Sequence, residues 1–354
     1  MIIEVDRTDL HRSRTESVGP TGLDPGQSRL RVDGFALTSN NITYGALGDA
    51  LMYWNFFPAE GNWGRIPVWG FADVVESRAD GVEPGLRVYG YFPMGDELVV
   101  TPAKADERGF FDAAEHRRPM AGAYNRYLRT DADPIHETER EGQQMVLWPL
   151  FFTSFMIDDY LADNDLFGAS TVVISSASSK TAVGTAFLVH DRPGVRVVGL
   201  TSEANHRFVT ELGCYHEVVT YADIASLPVD DAVYIDVAGN RDVQAAAHQR
   251  FGRRLAHSLI VGATHWDHRP EADEALPGPE PSFFFAPTQI AKRTTDWGQA
   301  ELDRVVGSAW RRFVAWTDGW LELRRSEGAA EVVTTYHELL DGRSEPHVGH
   351  VCRI

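Results

Sequence analysis

A run of small and hydroxylated residues that ends in a lysine carries the most informative chemistry of the sequence. The run Ser175-Ser176-Ala177-Ser178-Ser179-Lys180 follows an apolar stretch over 171–174 and precedes a helix-like segment. Small side chains let the backbone approach a diphosphate, and a helix N-terminus supplies N–H groups and a positive dipole end. The pattern therefore favours a strand, a tight turn and a helix that bind a dinucleotide, through Ser176, Ser178, Ser179, Lys180, Thr181 and Ala182.

The turn departs from the usual Gly-x-Gly-x-x-Gly pattern. Ala177, Ser179 and Ala182 stand at the spacing of the three glycines. Lys180 adds a full charge, which could serve the phosphates or the reacting end of the cofactor. The alternative is a serine that caps a surface helix beside a solvated lysine.

The end of the second apolar run indicates which dinucleotide is bound. A site for NAD usually has Asp or Glu at this point, whereas this chain has Leu200-Thr201-Ser202. A neutral end tolerates a 2′-phosphate, and Arg207 could pair with it one helical turn later. The sequence favours NADPH over NADH, although Glu203 could take the acidic role and Arg207 could lie on a solvated helix face.

Two patterns of elements position these residues. Short strands with Gly and Pro between them indicate a β unit up to about residue 100, and a helix is predicted around 112–129. After Trp148, near-continuous Val/Ile runs alternate with helical stretches, which is typical of a doubly wound parallel sheet. A helix carrying Trp310 and Phe313 follows, and strands are predicted over 331–336 and 348–354.

Composition excludes several classes of protein. The 354 residues include 51 Asp and Glu against 33 Lys and Arg, and the resulting net charge of −18 disfavours nucleic-acid binding. Two cysteines cannot form a disulfide framework. The N-terminus has no apolar signal core, and the longest apolar run, 147–157, contains Pro149 and is too short to cross a membrane. A cytoplasmic location without membrane partners is expected.

Several segments, in order along the chain, resemble the medium-chain dehydrogenase/reductase superfamily. They are 30–44, 66–75, 84–90, 199–221, 236–239 and 348–351, which include Pro84-Gly85-Leu86-Arg87-Val88 and Asp236-Val237-Ala238-Gly239. The resemblance implies an α/β protein with a GroES-like β-barrel catalytic domain and a Rossmann doubly wound domain. Its boundaries are predicted at 1–147 for the catalytic domain, 148–287 for the Rossmann domain and 288–354 for the return to the catalytic domain.

The departures from the superfamily pattern concern its metal. Thr43 and Tyr44 lie near the position of a zinc-ligating Cys, and Phe71-Ala72 replaces a His-Glu pair. No metal is therefore expected, and the chain resembles the zinc-free quinone oxidoreductase and enoyl reductase branch. The cluster His265-Trp266-Asp267-His268 is interpreted as a loop that faces cofactor or substrate.

Tyr44 is the first candidate for the group that donates a proton or hydrogen bond to the substrate, with Tyr53 in reserve. Asn41, together with Asn40, could orient the substrate. The alternatives are a buried phenol satisfied by the backbone and an Asn pair that only forms a turn.

Further cofactor contacts are expected where the parallel strands end. This group consists of Tyr221, Ala238, Gly239, Gly262 and Thr264. By resemblance, Phe284 and Phe285 lie beside the nicotinamide, although they could equally be core or a dimer contact.

The predicted function is NADPH-dependent, zinc-independent reduction of a carbonyl or activated C=C bond. A group of aromatic residues suggests a wide apolar pocket for a quinone, enone or aldehyde, unless these residues simply form the core of the barrel. They are Tyr53, Trp54, Phe56, Phe57 and Trp69. The alternative is a non-catalytic module that binds a nicotinamide nucleotide or senses redox state. A homodimer is expected from the resemblance alone.

Overall fold

The structure is a computed structural model, and it divides the chain into two compact units. The first unit comprises Met1–Val146 and Leu321–Ile354, and the second comprises Leu147–Trp320. The predicted return to the first domain at 288 therefore differs from the structure, in which the chain returns at Leu321. The described residues are 1–17, 19, 22–261 and 276–354.

The first segment of the first unit is mainly β-structure. Alternating apolar residues and Gly/Pro turns produce these short strands. The elements are β1 (Ile2–Asp6), β2 (Asp9–Glu16), β3 (Ser28–Leu37), α1 (Ser39–Ala46), β4 (Trp63–Gly64), β5 (Pro67–Ser77), β6 (Arg87–Pro93), β7 (Glu97–Val100), β8 (Pro102–Asp106), β9 (Gly109–Asp112), α2 (Gly122–Asn125) and β10 (Arg126–Arg129). The helix predicted over 112–129 is wrong, because this stretch holds only the four-residue α2 and the strand β10.

A long helix crosses the boundary between the two units. Helix α3 runs over Glu141–Asp163 and contains Pro149. Among the described residues, Thr138–Asp163 is the one segment long and apolar enough to cross a membrane by length and composition. About 61% of its most apolar window is buried within the protein, and core helices of globular domains pass the same test.

The second unit alternates strands and helices, as predicted. Its elements after α3 are β11 (Thr171–Ile174), α4 (Lys180–His190), β12 (Arg196–Thr201), α5 (Glu203–Glu211), β13 (Glu217–Thr220), β14 (Ala232–Asp236), α6 (Arg241–Phe251), β15 (Leu255–Ile260), β16 (Ser282–Phe283), α7 (Ala286–Trp297) and α8 (Gln299–Thr317). The six strands form one parallel sheet in the order β13-β12-β11-β14-β15-β16. This is the order of a dinucleotide-binding doubly wound sheet.

The chain then returns to the first unit and completes its sheet. The last elements are β17 (Glu322–Glu327), α9 (Ala329–Leu340) and β18 (Val348–Arg353). The strand predicted over 331–336 is wrong: Val332, Tyr336 and Leu339 recur at helical spacing and pack into the core. The sheet of this unit has nine strands in the order β17-β18-β3-β5-β6-β10-β9-β8, with β7 also paired to β3. A separate three-stranded sheet has the order β2-β1-β4.

Candidate functional site

The hydroxyl-rich run forms the turn between β11 and α4, at the carboxyl edge of the parallel sheet. β11 is flanked by β12 and β14, so its end lies at the switch point where ligands bind in open parallel sheets. Ser176 has a φ of 50°, in the left-handed region that favours glycine. The turn thus adopts a glycine-type backbone conformation at a position occupied by serine.

Neighbouring elements hold this turn in place. The Ala177 N–H donates to the Leu200 carbonyl at 3.0 Å, and the Tyr215 hydroxyl donates to the Ala177 carbonyl at 2.9 Å. Asn205 Nδ2 donates to Ser178 Oγ at 3.1 Å. Ala177 is fully buried, and the turn is therefore anchored from β12, α5 and the chain that precedes β13.

The start of α4 fits an anionic ligand. Ser179 is the N-cap residue, and its hydroxyl accepts from the Ala182 N–H at 3.3 Å. Within the described part of the chain, the N–H groups of Ser178 and Thr181 have no acceptor. Burial lowers the pKa of Lys180 to about 8. Small residues, N–H groups and a lysine beside the turn match the requirements of a diphosphate.

Asp236, at the end of β14, is not among the predicted site residues. Its carboxylate is buried and accepts from Ser175 Oγ at 3.0 Å and from the Gly239 N–H at 2.9 Å. Ser175 Oγ in turn accepts from the Val237 N–H at 3.1 Å. This network ties the β11–α4 turn to the loop that contains Ala238 and Gly239, two of the predicted contacts. An acidic residue at the end of a buried apolar strand is the signal that could have found it.

The end of β12 is neutral, as the sequence indicates. Thr201 is 1% exposed, and its hydroxyl has no hydrogen-bond partner among the described residues. Ser202 is the N-cap residue of α5. Arg207 lies further along α5, with its side chain 89% exposed, and its guanidinium pairs with Glu211 at 2.7 Å. The structure thus directs Arg207 toward the C-terminal end of α5, away from the end of β12.

The remaining predicted cofactor residues fall into three groups. Tyr221 directly follows β13, and its hydroxyl is in hydrogen-bonding reach of Ser176. Burial raises the pKa of the Tyr221 phenol, and the hydrogen bond with Ser176 acts against that rise. Phe284 is buried and its ring packs 5.6 Å from that of Tyr160 of α3, whereas Phe285 is exposed at the start of α7. Gly262, Thr264 and the cluster 265–268 lie outside the described residues.

In the first unit, Tyr44 lies on α1 and is almost fully buried. Asn40 Nδ2 donates to its hydroxyl at 2.6 Å, one helical turn away. Asn41 instead supports the turn before α1: its Oδ1 accepts from the Thr38 N–H at 2.7 Å, and its Nδ2 donates to the Pro67 carbonyl at 2.8 Å. Of the two asparagines, Asn40 is therefore the one that contacts the Tyr44 phenol.

Tyr44 belongs to an aromatic cluster, which we call the tyrosine cluster. Its ring centroid lies 4.4 Å from that of Tyr53 and 5.9 Å from that of Tyr91. Burial, and then Tyr124, raises the pKa of the Tyr44 phenol well above its ordinary value, and polar groups of Trp69, Tyr91 and Asn40 act against that rise. The members are Tyr44, Tyr53, Phe56, Phe57, Trp69, Tyr91, Met120 and Tyr124, with Leu98 at the edge.

Two strands supply one wall of the tyrosine cluster. In the antiparallel pair β5–β6, Trp69 lies opposite Tyr91, Gly70 opposite Gly90, and Phe71 opposite Tyr89. Side chains alternate between the two faces of a strand, so these four aromatic residues share one face, while Val68, Ala72, Val88 and Phe92 enter the core on the other. The repeated aromatic–Gly–aromatic pattern in two successive strands is the sequence signal that could have identified Tyr91.

Arg117 is a further residue that the sequence analysis missed, and it is fully buried behind the tyrosine cluster. Its guanidinium pairs with Asp112 at 3.1 Å and donates to the Tyr127 hydroxyl at 2.8 Å and to the Tyr124 carbonyl at 2.5 Å. It also lies over the rings of Phe56 and Phe57. Arg117 therefore holds the segment that carries Tyr124.

The described ranges contain no group of three or more His, Cys, Asp or Glu residues that could hold a metal ion. At positions that the sequence resemblance matches to zinc ligands, Tyr44 lies in the tyrosine cluster and Phe71 packs against Tyr89, with ring centroids 5.1 Å apart. Neither side chain is a metal ligand of the kind that zinc prefers.

Comparison with solved structures supports the fold. CurA of Vibrio vulnificus, crystallised in complex with NADPH, is 13% identical, with a TM-score of 0.65 over 99% of this chain and 98% of that one. The YhdH oxidoreductase of Salmonella enterica, in complex with NADP, is 14% identical, with a TM-score of 0.54 over 97% and 96% of the two chains. A putative NADPH:quinone reductase of Mesorhizobium loti is 13% identical, with a TM-score of 0.56 over 93% and 87%.

These similarities confirm the predicted fold, a GroES-like part combined with a Rossmann part. A comparison of the sequence with curated proteins found no match. A family model described as "Protein of unknown function (DUF2855)" matches residues 35–345, which is most of the sequence. The chain is therefore a member of the DUF2855 family.

Proposed function

We propose that this protein is an NADPH-dependent oxidoreductase that reduces a carbonyl or an activated C=C bond without zinc. The observation that carries the proposal is the β11–α4 turn at the switch point of the parallel sheet. Ser176, Ser178, Ser179 and Thr181 would hold the diphosphate, with Lys180 as the charged partner. A bound NADPH would supply the hydride.

Tyr44 would serve the substrate oxygen. Its raised pKa keeps the phenol protonated at neutral pH, so it can donate a hydrogen bond or a proton to an oxygen that gains negative charge. Asn40 donates to the phenol oxygen and so holds that oxygen in place. Because Asn40 uses only a lone pair, the O–H of Tyr44 can still donate to the substrate. The surrounding rings favour a flat, apolar substrate such as a quinone or enone.

The preference for NADPH over NADH is supported by the neutral end of β12. The buried Thr201 hydroxyl has no partner among the described residues, and Ser202 follows directly. Arg207 would have to leave Glu211 in order to reach a 2′-phosphate. We therefore assign the discrimination to Thr201 and Ser202 first and to Arg207 second.

A turnover assay tests the proposal. NADPH consumption in the presence of quinones, enones and aldehydes should exceed the rate without protein. Tyr44→Phe should lower kcat by about 10²-fold or more, which is the usual contribution of a general acid, while the Kd for NADPH stays the same. Tyr336→Phe is the matched control, because this buried tyrosine of α9 donates to the Leu10 carbonyl outside the tyrosine cluster. Equal kcat in wild type and Tyr44→Phe would remove Tyr44 from the reaction.

The second candidate is a non-catalytic module that binds a nicotinamide nucleotide. It is favoured by the absence of glycine from the turn, where Ser176 takes the left-handed conformation. Tight NADPH binding with no turnover on any of the three substrate classes would select this candidate.

A cytoplasmic location and a homodimer are further proposals, supported by the sequence and by the superfamily resemblance. Light scattering on the purified protein measures the mass in solution, which should be twice 39.4 kDa for a dimer.

A further inference from the structure

Ser175 and Asp236 join the carboxyl ends of two adjacent parallel strands, β11 and β14. Ser175 Oγ donates to Asp236 Oδ1 at 3.0 Å and accepts from the Val237 N–H at 3.1 Å. The same Oδ1 accepts from the Gly239 N–H at 2.9 Å. Both side chains are 1% exposed, so water does not compete for these hydrogen bonds.

Residues 237–240, which we call the β14 loop, fold back onto the end of β14. Gly239 has a φ of 71°, in the left-handed region, and its N–H points back to the Asp236 carboxylate. The Asp236 carbonyl accepts from the Val261 N–H at 2.8 Å, directly after β15. Asp236 is therefore bonded through its side chain to β11 and the β14 loop, and through its backbone to the chain after β15.

The place of this network in the sheet gives it a functional meaning. A doubly wound sheet consists of two halves that each bind one mononucleotide of a dinucleotide. Strands β11, β12 and β13 form one half here, and β14, β15 and β16 form the other. The β11–α4 turn belongs to the first half and the β14 loop to the second. Ser175 and Asp236 thus connect the two halves at the edge where ligands bind.

We propose that Asp236 is a positioning residue that fixes the β14 loop relative to the β11–α4 turn, so that one NADPH contacts both. Hydrogen bonds to a charged acceptor are stronger than those to a neutral one, and they hold the loop in a single conformation. The carboxylate is buried, so it acts on the nucleotide through the backbone of the loop. This inference rests on the proposed function, because it specifies how that site holds the second half of the dinucleotide.

A comparison of two ligands tests this inference by calorimetric titration of the full-length protein. The ligands are NADPH and adenosine 2′,5′-bisphosphate, which lacks the nicotinamide half. Asp236→Ala should raise the Kd for NADPH about ten- to hundredfold, the usual effect of losing hydrogen bonds to a charged group, and leave that for the bisphosphate within about twofold. Asp236→Asn keeps an Oδ1 acceptor and should bind NADPH more tightly than Asp236→Ala. Ser175→Ala should weaken NADPH binding selectively, as Asp236→Ala does.

Ser258→Ala is the matched control for Ser175→Ala. Ser258 is fully buried in the interior of β15, and its hydroxyl lies 2.9 Å from His248 Nε2 of α6. Its loss should lower the free energy of unfolding but leave both Kd values unchanged. A second measurement is hydrogen exchange without nucleotide: the amides of the β14 loop should exchange about tenfold faster in Ser175→Ala than in Ser258→Ala or the wild type.

The outcomes separate this inference from the proposed function. If the wild type binds NADPH but Asp236→Ala weakens both ligands equally, or neither, the positioning role is overturned and the nucleotide site stands. A wild type that binds NADPH but not the bisphosphate also overturns it, because the two halves would not be separable. Selective loss of NADPH affinity in a protein that turns over no substrate would keep the role of Asp236 and reject the reductase. A wild type that does not bind NADPH would overturn both.

Discussion

The charge of Lys180 should make the binding of NADPH depend on pH. Burial lowers its pKa to about 8, so the amine is charged below pH 8 and neutral above it. A dinucleotide diphosphate prefers the charged amine. The Kd for NADPH should therefore rise as pH increases through 8, by up to about tenfold per pH unit, in a fluorescence titration between pH 6.5 and 9.5.

Lys180→Arg is the matched control, because a guanidinium stays charged throughout this range. In that variant the Kd should depend little on pH, whereas Lys180→Met should bind weakly at every pH. A wild-type Kd that is constant across pH 8 would show that the Lys180 amine does not contact the phosphates.

The sequence alone can locate candidate residues where their chemistry depends on local order along the chain. The hydroxyls of the β11–α4 turn could be found because a strand, small residues and a helix start are contiguous in sequence. Asn40 was not chosen over Asn41, since which of two adjacent amides faces Tyr44 depends on the phase of α1. Predicting the place of Tyr91 in the tyrosine cluster requires the pairing of β5 with β6, which local sequence does not give.

Helix α4 illustrates how an element is fitted to its neighbour. A Cβ at Gly184 would lie 2.7 Å from Ser154 Oγ of α3, whose hydroxyl donates to the Thr181 carbonyl at 2.8 Å. The glycine of this segment thus serves the contact between α4 and α3. Its position two residues beyond Ala182 distinguishes it from the third glycine of the usual pattern.

We expect Gly184→Ala to destabilise the protein by about 1–3 kcal/mol, because overpacking outweighs the better helix propensity of alanine. Urea unfolding measures the change. Ser154→Ala combined with Gly184→Ala should recover part of the loss, since the oxygen in closest contact is gone. A Gly184→Ala variant as stable as the wild type would mean that α3 shifts to make room for the added methyl group.

At the level of elements, buried parallel strands were easier to predict than helices rich in β-branched residues. The runs of β11, β12 and β14 are apolar on both faces and were predicted within a few residues. α9 contains Val332, Val333, Thr334 and Thr335, which favour strands, and tertiary packing overrides that preference. α3 tolerates Pro149 in its interior, where the sequence suggests a break.

For the whole molecule, ligand binding should increase the free energy of unfolding. A ligand that binds only the folded state stabilises it by about 2.7 kcal/mol at a hundredfold excess over Kd. NADPH should therefore raise the melting temperature in a thermal scan, and NADH at equal concentration should raise it less. An NADH shift equal to or larger than the NADPH shift would contradict the assignment of Thr201 and Ser202.

The order of motifs along the whole chain predicted the two-part architecture better than it predicted the boundaries. Helices α7 and α8 belong to the second unit, although the predicted return to the first domain was at 288. The amphipathic pattern of α7 and α8 predicts that each is a helix, but it does not predict which of the two cores the apolar side packs against. Trp310 and Phe313 pack with Phe151 of α3, a contact that joins residues far apart in sequence.

The glycine pair of β5 and β6 has a consequence for how this family can diversify. A methyl group at Gly70 would meet the Gly34 carbonyl at 2.3 Å, and one at Gly90 would meet the Tyr127 ring at 2.4 Å. The inner side of this ribbon is therefore closed to change, whereas the outer side carries the rings of Trp69 and Tyr91. A side chain at either glycine would force the ribbon away from its neighbours, so change in this part of the fold is restricted to the outer side.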